Sequence, residues 1–172
     1  MTGDTPTAKA SDRNTEPIRS ALSADDGIDF TIIELLFFAY RDFTSDPDKI
    51  LSQYGFGRAH HRVVHFVNRR PGLTVAELLD VLKITKQSLA RVLKQLLDTG
   101  HIVQVQGPRD RRQRELYPTA RGRELAIALA TPQTSRIAAA LADAGPQDRA
   151  AVERFLKGMV NPELREQIAP GP

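Results

Sequence analysis

The chain has 172 residues, 24 Lys and Arg against 21 Asp and Glu, and neither Cys nor Trp, which suits one compact domain with appendages better than two domains. Without cysteine there is no disulfide framework, thiolate zinc site, iron–sulfur cluster, cysteine nucleophile or thiol redox sensor. The charge is uneven: residues 1–29 hold six acids against three bases, net −3, whereas Lys83 to Arg123 hold ten bases against three acids, net +7.

Residues 1–27 are rich in Thr, Ser, Asp, Pro and Ala and have too little apolar content to offset the entropy of ordering, so a disordered arm is expected. No stretch reaches the ~18 apolar residues of a membrane span, and no basic and apolar leader opens the chain; a cytoplasmic protein with no membrane partner is expected. Phe30 to Tyr40 is apolar on nearly all sides, which for a helix means burial against several neighbours, an oligomer interface among them. Ser45-Asp46-Pro47-Asp48 reads as a break, with Pro47 opening a short segment to Gln53. Gly55 and Gly57 then precede a helix from about Arg58 to Arg69.

Leu73-Thr74-Val75-Ala76-Glu77 reads as a capping box opening a short helix that ends near Leu82. After the tight Lys83-Ile84 connection, Thr85 caps a second helix that stops at Gly100. Within it Leu89, Val92, Leu93 and Leu96 form one apolar stripe, with Gln87, Arg91 and Lys94 opposite. Two short helices joined by a turn, the second with a basic outer face, describe a helix-turn-helix. Ile102–Gln106 and Arg114–Tyr117 then read as a two-stranded hairpin whose tip carries Arg109-Asp110-Arg111-Arg112. A basic hairpin after a helix-turn-helix is a wing. Thr119 caps a long helix that Thr131-Pro132 bends or interrupts, and Gly145-Pro146 separates it from a last helix with Val152, Phe155, Leu156, Met159 and Val160 on one side.

The sequence from Leu73 to Leu78, Thr85-Lys86-Gln87-Ser88, Arg91-Val92-Leu93, Gly100-His101-Ile102-Val103, Pro108 to Arg112 and Thr119-Ala120-Arg121-Gly122-Arg123 resembles the MarR-type winged helix-turn-helix regulators. Similarity is strongest over residues 56–125. It implies a mainly α fold with a small β-hairpin wing, in which 28–172 form one MarR-like domain. Residues 56–120 would be the winged DNA-binding lobe, and 28–55 with 121–172 a helical dimerisation region. Two departures stand out: Gly107 replaces the usual Asp at the wing's opening, and Pro118 replaces the usual Leu before the Thr-x-x-Gly turn.

The resemblance also implies a homodimer gripping one pseudo-palindromic site in double-stranded DNA, most simply as a repressor that blocks promoter access. A major groove admits one helix, so Lys86, Gln87, Ser88, Arg91 and Lys94 are the candidates to face bases or phosphates. The N–H groups at Thr74 and Thr85 lie at helix N-termini, where partial positive charge favours phosphate. Arg109, Arg111, Arg112 and Arg114 belong to the wing, with Arg111 the candidate for the minor groove and Asp110 a structural partner of its neighbours. Similar regulators take small phenolic or carboxylate effectors between the dimer helices and the DNA-binding lobe; Tyr40, His61 and Arg62 are candidates to line that crevice, where a Tyr or His more often serves packing alone.

His61 and His65, at i and i+4, offer two imidazoles on one helix face, but no acid nearby completes a zinc site, so no metal and no cofactor is expected. There is no Gly-rich phosphate loop, nucleophile elbow or HExxH, so no enzyme is expected either. The competing reading is a winged helix used for protein–protein contact; it would call for an apolar or mixed outer face on residues 86–98 rather than a basic one.

Overall fold

The computed structural model describes residues 20–22, 25, 27–107, 113–145 and 148–165. The expected arm therefore falls mostly outside the described residues, as does the wing tip from Pro108 to Arg112. In order, the elements are α1 (Phe30–Ser52), α2 (Arg58–Arg69), β1 (Leu73–Thr74), α3 (Val75–Leu82), α4 (Lys86–Asp98), β2 (Ile102–Gln106), β3 (Arg114–Pro118), α5 (Ala120–Ala144), α6 (Arg149–Met159) and α7 (Pro162–Arg165). The chain divides into two compact units, Met1–Phe37 and Phe38–Pro172, with the boundary inside α1. In the first, Asp29 Oδ1 accepts from the N–H groups of Thr31 (3.1 Å) and Ile32 (3.3 Å), capping the start of α1.

The second unit is organised around α2, which buries His60, Val63, Val64 and Val67 and packs against α4, α5 and β3. Leu78 and Leu82 of α3, Leu89, Val92, Leu93 and Leu96 of α4, and Leu125 and Leu129 of α5 join this core, as do Leu51, Phe56, Leu73, Ile102 and Leu116. The stripe expected on α4 is the buried one, each side chain contributing about 1.5–3 kcal/mol. Burial of one face fixes which face of α4 remains outside.

The expected break at Ser45 to Asp48 does not occur: α1 runs through as one 23-residue helix with Pro47 inside it. Proline removes a helical N–H and orphans the carbonyl four residues earlier, at about 3 kcal/mol or more in a helix interior. Here that carbonyl, Phe43 O, accepts from Gln133 Nε2 of α5 at 3.4 Å. Arg136 of the same helix reaches Asp46 at 3.0 Å, so tertiary partners overrule the local signal. Pro132 likewise leaves α5 continuous over 25 residues.

The wing hairpin is part of a three-stranded antiparallel sheet in the order β1-β3-β2, with Leu73 opposite Leu116. β1, at two residues, is too short to show alternation in the sequence. β2 and β3 pair from Ile102 and Pro118 out to Gln106 and Arg114. Pro118 is the last residue of β3 and lies beyond Glu115 and Leu116, the residues that pair with β1, so at this position β3 has a neighbour on one side only. Ile102 and Leu116 are buried while Val103 to Gln106 are exposed, so the hairpin leaves the body of the unit as it proceeds.

His101, at the foot of β2, is 1% exposed. Thr99 Oγ1 donates to Gln95 O at 2.6 Å and therefore accepts from His101 Nδ1 at 2.8 Å, which leaves Nε2 as a bare acceptor with no partner among the described residues. Burial, and secondarily the charge of Arg121, hold this imidazole below its ordinary pKa. The neutral ring thus supports folding fully above about pH 6.5, and that support is lost as pH falls below 6.5 toward the lower folded-state value. Thermal melts between pH 7.5 and 5 should show the loss, at most about 1.4 kcal/mol per pH unit, and His101→Gln should flatten the slope; an equal slope in the variant would assign it to other groups.

Candidate nucleic-acid interface

The helix-turn-helix is built from local bonds. Thr74 N–H donates to Glu77 Oε2 (2.8 Å) and Glu77 N–H donates to Thr74 Oγ1 (3.3 Å), the reciprocal box expected from the sequence. The Thr74 hydroxyl also donates to the same carboxylate, and these bonds hold Glu77 below the usual carboxylate range. α3 ends at Leu82, and the φ of +50° at the next residue, Lys83, lies in the left-handed region, uncommon without glycine. Two residues later Thr85 Oγ1 accepts from Ser88 N–H at 3.1 Å and starts α4.

Lys86, Gln87, Ser88, Arg91 and Lys94 are all exposed, opposite the buried Leu89 to Leu96 stripe. Their surroundings differ. Ser88 Oγ accepts from the Thr85 hydroxyl (2.9 Å) and Lys94 is ion-paired with Asp98, so both are partly committed within α4. The Thr74 N–H is not free for phosphate, because the carboxylate of its own capping box holds it. Arg114, exposed, begins β3 opposite Gln106. Arg109, Arg111 and Arg112 lie outside the described residues.

Two side chains of α2 tie it to this assembly through bonds that the sequence does not disclose. Arg62 Nη2 donates to Leu82 O at 2.8 Å, at the end of α3. His60 stacks on Phe56 with ring centres 4.6 Å apart; its Nδ1 accepts from Gly57 N–H (3.1 Å), so Nε2 is the donor to Gln95 Oε1 of α4 at 2.6 Å. The helix-turn-helix is thereby held at both of its helices by the central helix of the core.

Tyr40, His61 and Arg62, predicted as crevice residues, do line one crevice of about 460 Å³, together with Phe43, Arg58, His65, Phe66 and Gln133. Arg58 there is paired to Asp48 at 2.8 Å, and burial followed by the neighbouring His65 lowers the His61 pKa. Arg58, His61, Arg62 and His65 recur at three- and four-residue intervals, a periodicity that could have added Arg58 and His65 from sequence. Among the described residues no group of His, Asp or Glu is placed to hold a metal ion, and no helix is long and apolar enough to cross a membrane.

The fold recurs in solved structures. The crystal structure of MarR matches with a TM-score of 0.63 at 21% identity, covering 86% of this chain and 98% of that one. Streptococcus pneumoniae FabT, crystallised in complex with DNA, matches with a TM-score of 0.66 at 18% identity, covering 76% and 94%. In sequence, a MarR family profile matches residues 54–113. The HTH-type transcriptional regulator PetP of Rhodobacter capsulatus is 50% identical over 133 residues, which are 77% of this chain and 80% of PetP. Identity at that level across most of both chains, on a winged helix-turn-helix fold, means that this chain belongs to the MarR family of transcriptional regulators.

Proposed function

We propose that the protein is a homodimeric repressor that lays α4 of each protomer in the major groove of a pseudo-palindromic operator and the wing beside the adjoining minor groove. The observation that carries this reading is the division of α4 into a buried leucine and valine stripe and an exposed face bearing Lys86, Gln87, Ser88, Arg91 and Lys94. Gln87 and Arg91 have the chemistry for bidentate bonds to adenine and guanine edges. Lys86 and Lys94 suit phosphates, as do the wing residues Arg109, Arg112 and Arg114, while Arg111 suits the narrow groove. FabT, similar in fold, is seen on DNA. The same exposed polar and basic face argues against a protein-docking role, and a role in transcription control supports a cytoplasmic location.

The crevice beside Arg62 is proposed as an effector site. Its walls combine the rings of Tyr40, Phe43 and Phe66 with Arg58, Arg62, His61 and His65 and carry no carboxylate, which suits a small aromatic acid or phenol.

The test begins with selection of bound fragments from the source genome. Arg91→Ala should then weaken binding to the selected site by about 1–3 kcal/mol and relax preference at one base pair, without lowering the melting temperature. Binding of the wild type should weaken steeply with salt, log K against log salt falling by about 0.9 per phosphate contacted. Absence of any preferred fragment would refute the proposal.

A further inference from the structure

We propose that His60 is a positioning residue for DNA recognition: its hydrogen bond to Gln95 fixes the rotation of α4 about its own axis, and with it the aim of Gln87 and Arg91. The inference rests on α4 being the recognition helix and adds the part that sets its bearing.

The stripe of Leu89, Val92, Leu93 and Leu96 holds α4 to the core, but apolar burial carries no direction of its own, and a small roll of the helix leaves most of it in place. At the DNA a small roll matters. Side-chain ends lie about 5–6 Å from a helix axis, so a roll of about 20° carries them roughly 2 Å, more than a hydrogen bond to a base edge tolerates. Gln95 supplies a directional restraint. At about 100° per residue it lies roughly 40° round from Arg91 and roughly 110° from the middle of the apolar stripe, on a flank of α4. A bond on the flank opposes rotation, whereas one beneath the stripe would oppose only lifting.

Both ends of that bond are fixed. His60 is 8% exposed, with its ring stacked on Phe56 at 4.6 Å and 6° between planes. Gly57 N–H occupies its Nδ1 at 3.1 Å, so Nε2 carries the proton given to Gln95 Oε1 at 2.6 Å. Phe56 in turn meets the edge of His101, ring centres 5.3 Å apart. At the other end, the backbone carbonyl of Gln95 accepts from the N–H of Thr99 at 3.0 Å and from its hydroxyl at 2.6 Å, and that hydroxyl accepts from His101 Nδ1 at 2.8 Å. Gln95 is thereby held to α2 through its side chain and to the foot of the wing through its backbone, so α4 and the wing share one bearing. An apolar ring at position 60 would fill the space beside Phe56 as well; the two nitrogens add direction.

The experiment uses the full-length chain, a genome-selected DNA fragment and a scrambled fragment of equal length, each titrated by fluorescence, with thermal melts alongside. His60→Phe keeps a ring on Phe56 but neither nitrogen; Gln95→Leu removes the acceptor and leaves His60 in place. Each is expected to bind the selected fragment about tenfold or more weakly, the loss of about one bidentate base contact, with scrambled-fragment affinity within about twofold of wild type. The double variant should be within about twofold of the weaker single one, because the same bond is lost twice. His60→Gln offers an amide oxygen to Gly57 N–H, as glutamine does at the third position of a capping box, and an amide N–H to Gln95; it should recover selected-fragment affinity to within about threefold of wild type. In Gln95→Leu the preference should relax at the base pairs that alanine variants of Gln87 and Arg91 identify, and this readout serves if His60→Phe fails to fold. Loss at some other base pair alone, or equal loss on both fragments, would make Gln95 a direct DNA contact and overturn the inference. So would a fall in melting temperature and in both affinities together without recovery in His60→Gln, the mark of a merely structural bond. No preferred fragment for the wild type overturns the recognition reading itself, whereas variants that discriminate between the fragments as the wild type does overturn the positioning role alone.

Discussion

Gly122→Ala is expected to lower stability by about 3 kcal/mol or more, a large share of the ~5–15 kcal/mol that keeps a domain folded. In an exposed helix the same change would stabilise, since alanine is favoured over glycine by ~0.8–1.0 kcal/mol. Gly122 is instead buried in the first turn of α5, and a Cβ there would overlap the carbonyl oxygen of His101 and come within 2.9 Å of its carbon. The obstacle is backbone and cannot rotate away. It is also pinned: His101 O accepts from Thr119 N–H at 3.2 Å, and the Thr119 hydroxyl, which caps α5 by accepting from Gly122 N–H at 3.0 Å, donates to Gly100 O at 2.6 Å. Relief would require pulling α5 off the foot of the wing and undoing that cap. Gly158 is the control, with nothing within 4 Å of its Cβ position; its replacement by alanine in α6 should be neutral or stabilising. Chemical denaturation of both variants checks the pair, and a Gly122→Ala midpoint equal to wild type would contradict the close approach.

What the sequence disclosed depends on the range of the forces involved. The caps at Thr74, Thr85 and Thr119 are bonds between residues three apart, so residue type and spacing reveal them. The core stripe of α4 follows from helical periodicity alone. The continuity of α1 is different: it relies on Gln133, ninety positions away, to satisfy the carbonyl that Pro47 orphans, and no local pattern encodes that pairing. β1 is two residues long and exists because Leu116 passes beside Leu73. Likewise, the candidate DNA face could be read from α4 itself, whereas the crevice draws on α1, α2 and α5. Tyr40, His61 and Arg62 were found there through the family resemblance. The bonds from His60 to Gln95 and from Arg62 to Leu82 span 35 and 20 positions and became visible only once α2 was seen at the centre of the unit.

Phe155→Glu is expected to separate the proposed dimer and to weaken operator binding by about two or more orders of magnitude. Within one protomer α6 buries nothing, yet Val152, Phe155, Leu156 and Met159 stand on one side of it, with Phe155 and Leu156 each 50% exposed. Ile127 and Ile137 of α5 are exposed as well, and so are Leu35 and Phe37 in α1. Apolar side chains exposed in such number among the described residues call for a partner. A second copy is the one that would also duplicate α4 for two half-sites. The protomer's own core runs from Leu51 to Leu129, far along the chain from α6, so a glutamate at 155 disturbs the proposed interface without entering that core. Its charge, buried against the partner's apolar surface, would have to be desolvated unpaired, which the assembly avoids by dissociating. A separated protomer loses the millimolar effective concentration that makes the second half-site contact intramolecular, and affinity drops by roughly 10²–10⁴ even though every DNA-facing residue is intact. Sedimentation equilibrium and DNA titration on the same preparation test both halves of the expectation: a dimer that persists, or a monomer that keeps wild-type affinity, would each break the connection between this apolar face and DNA recognition.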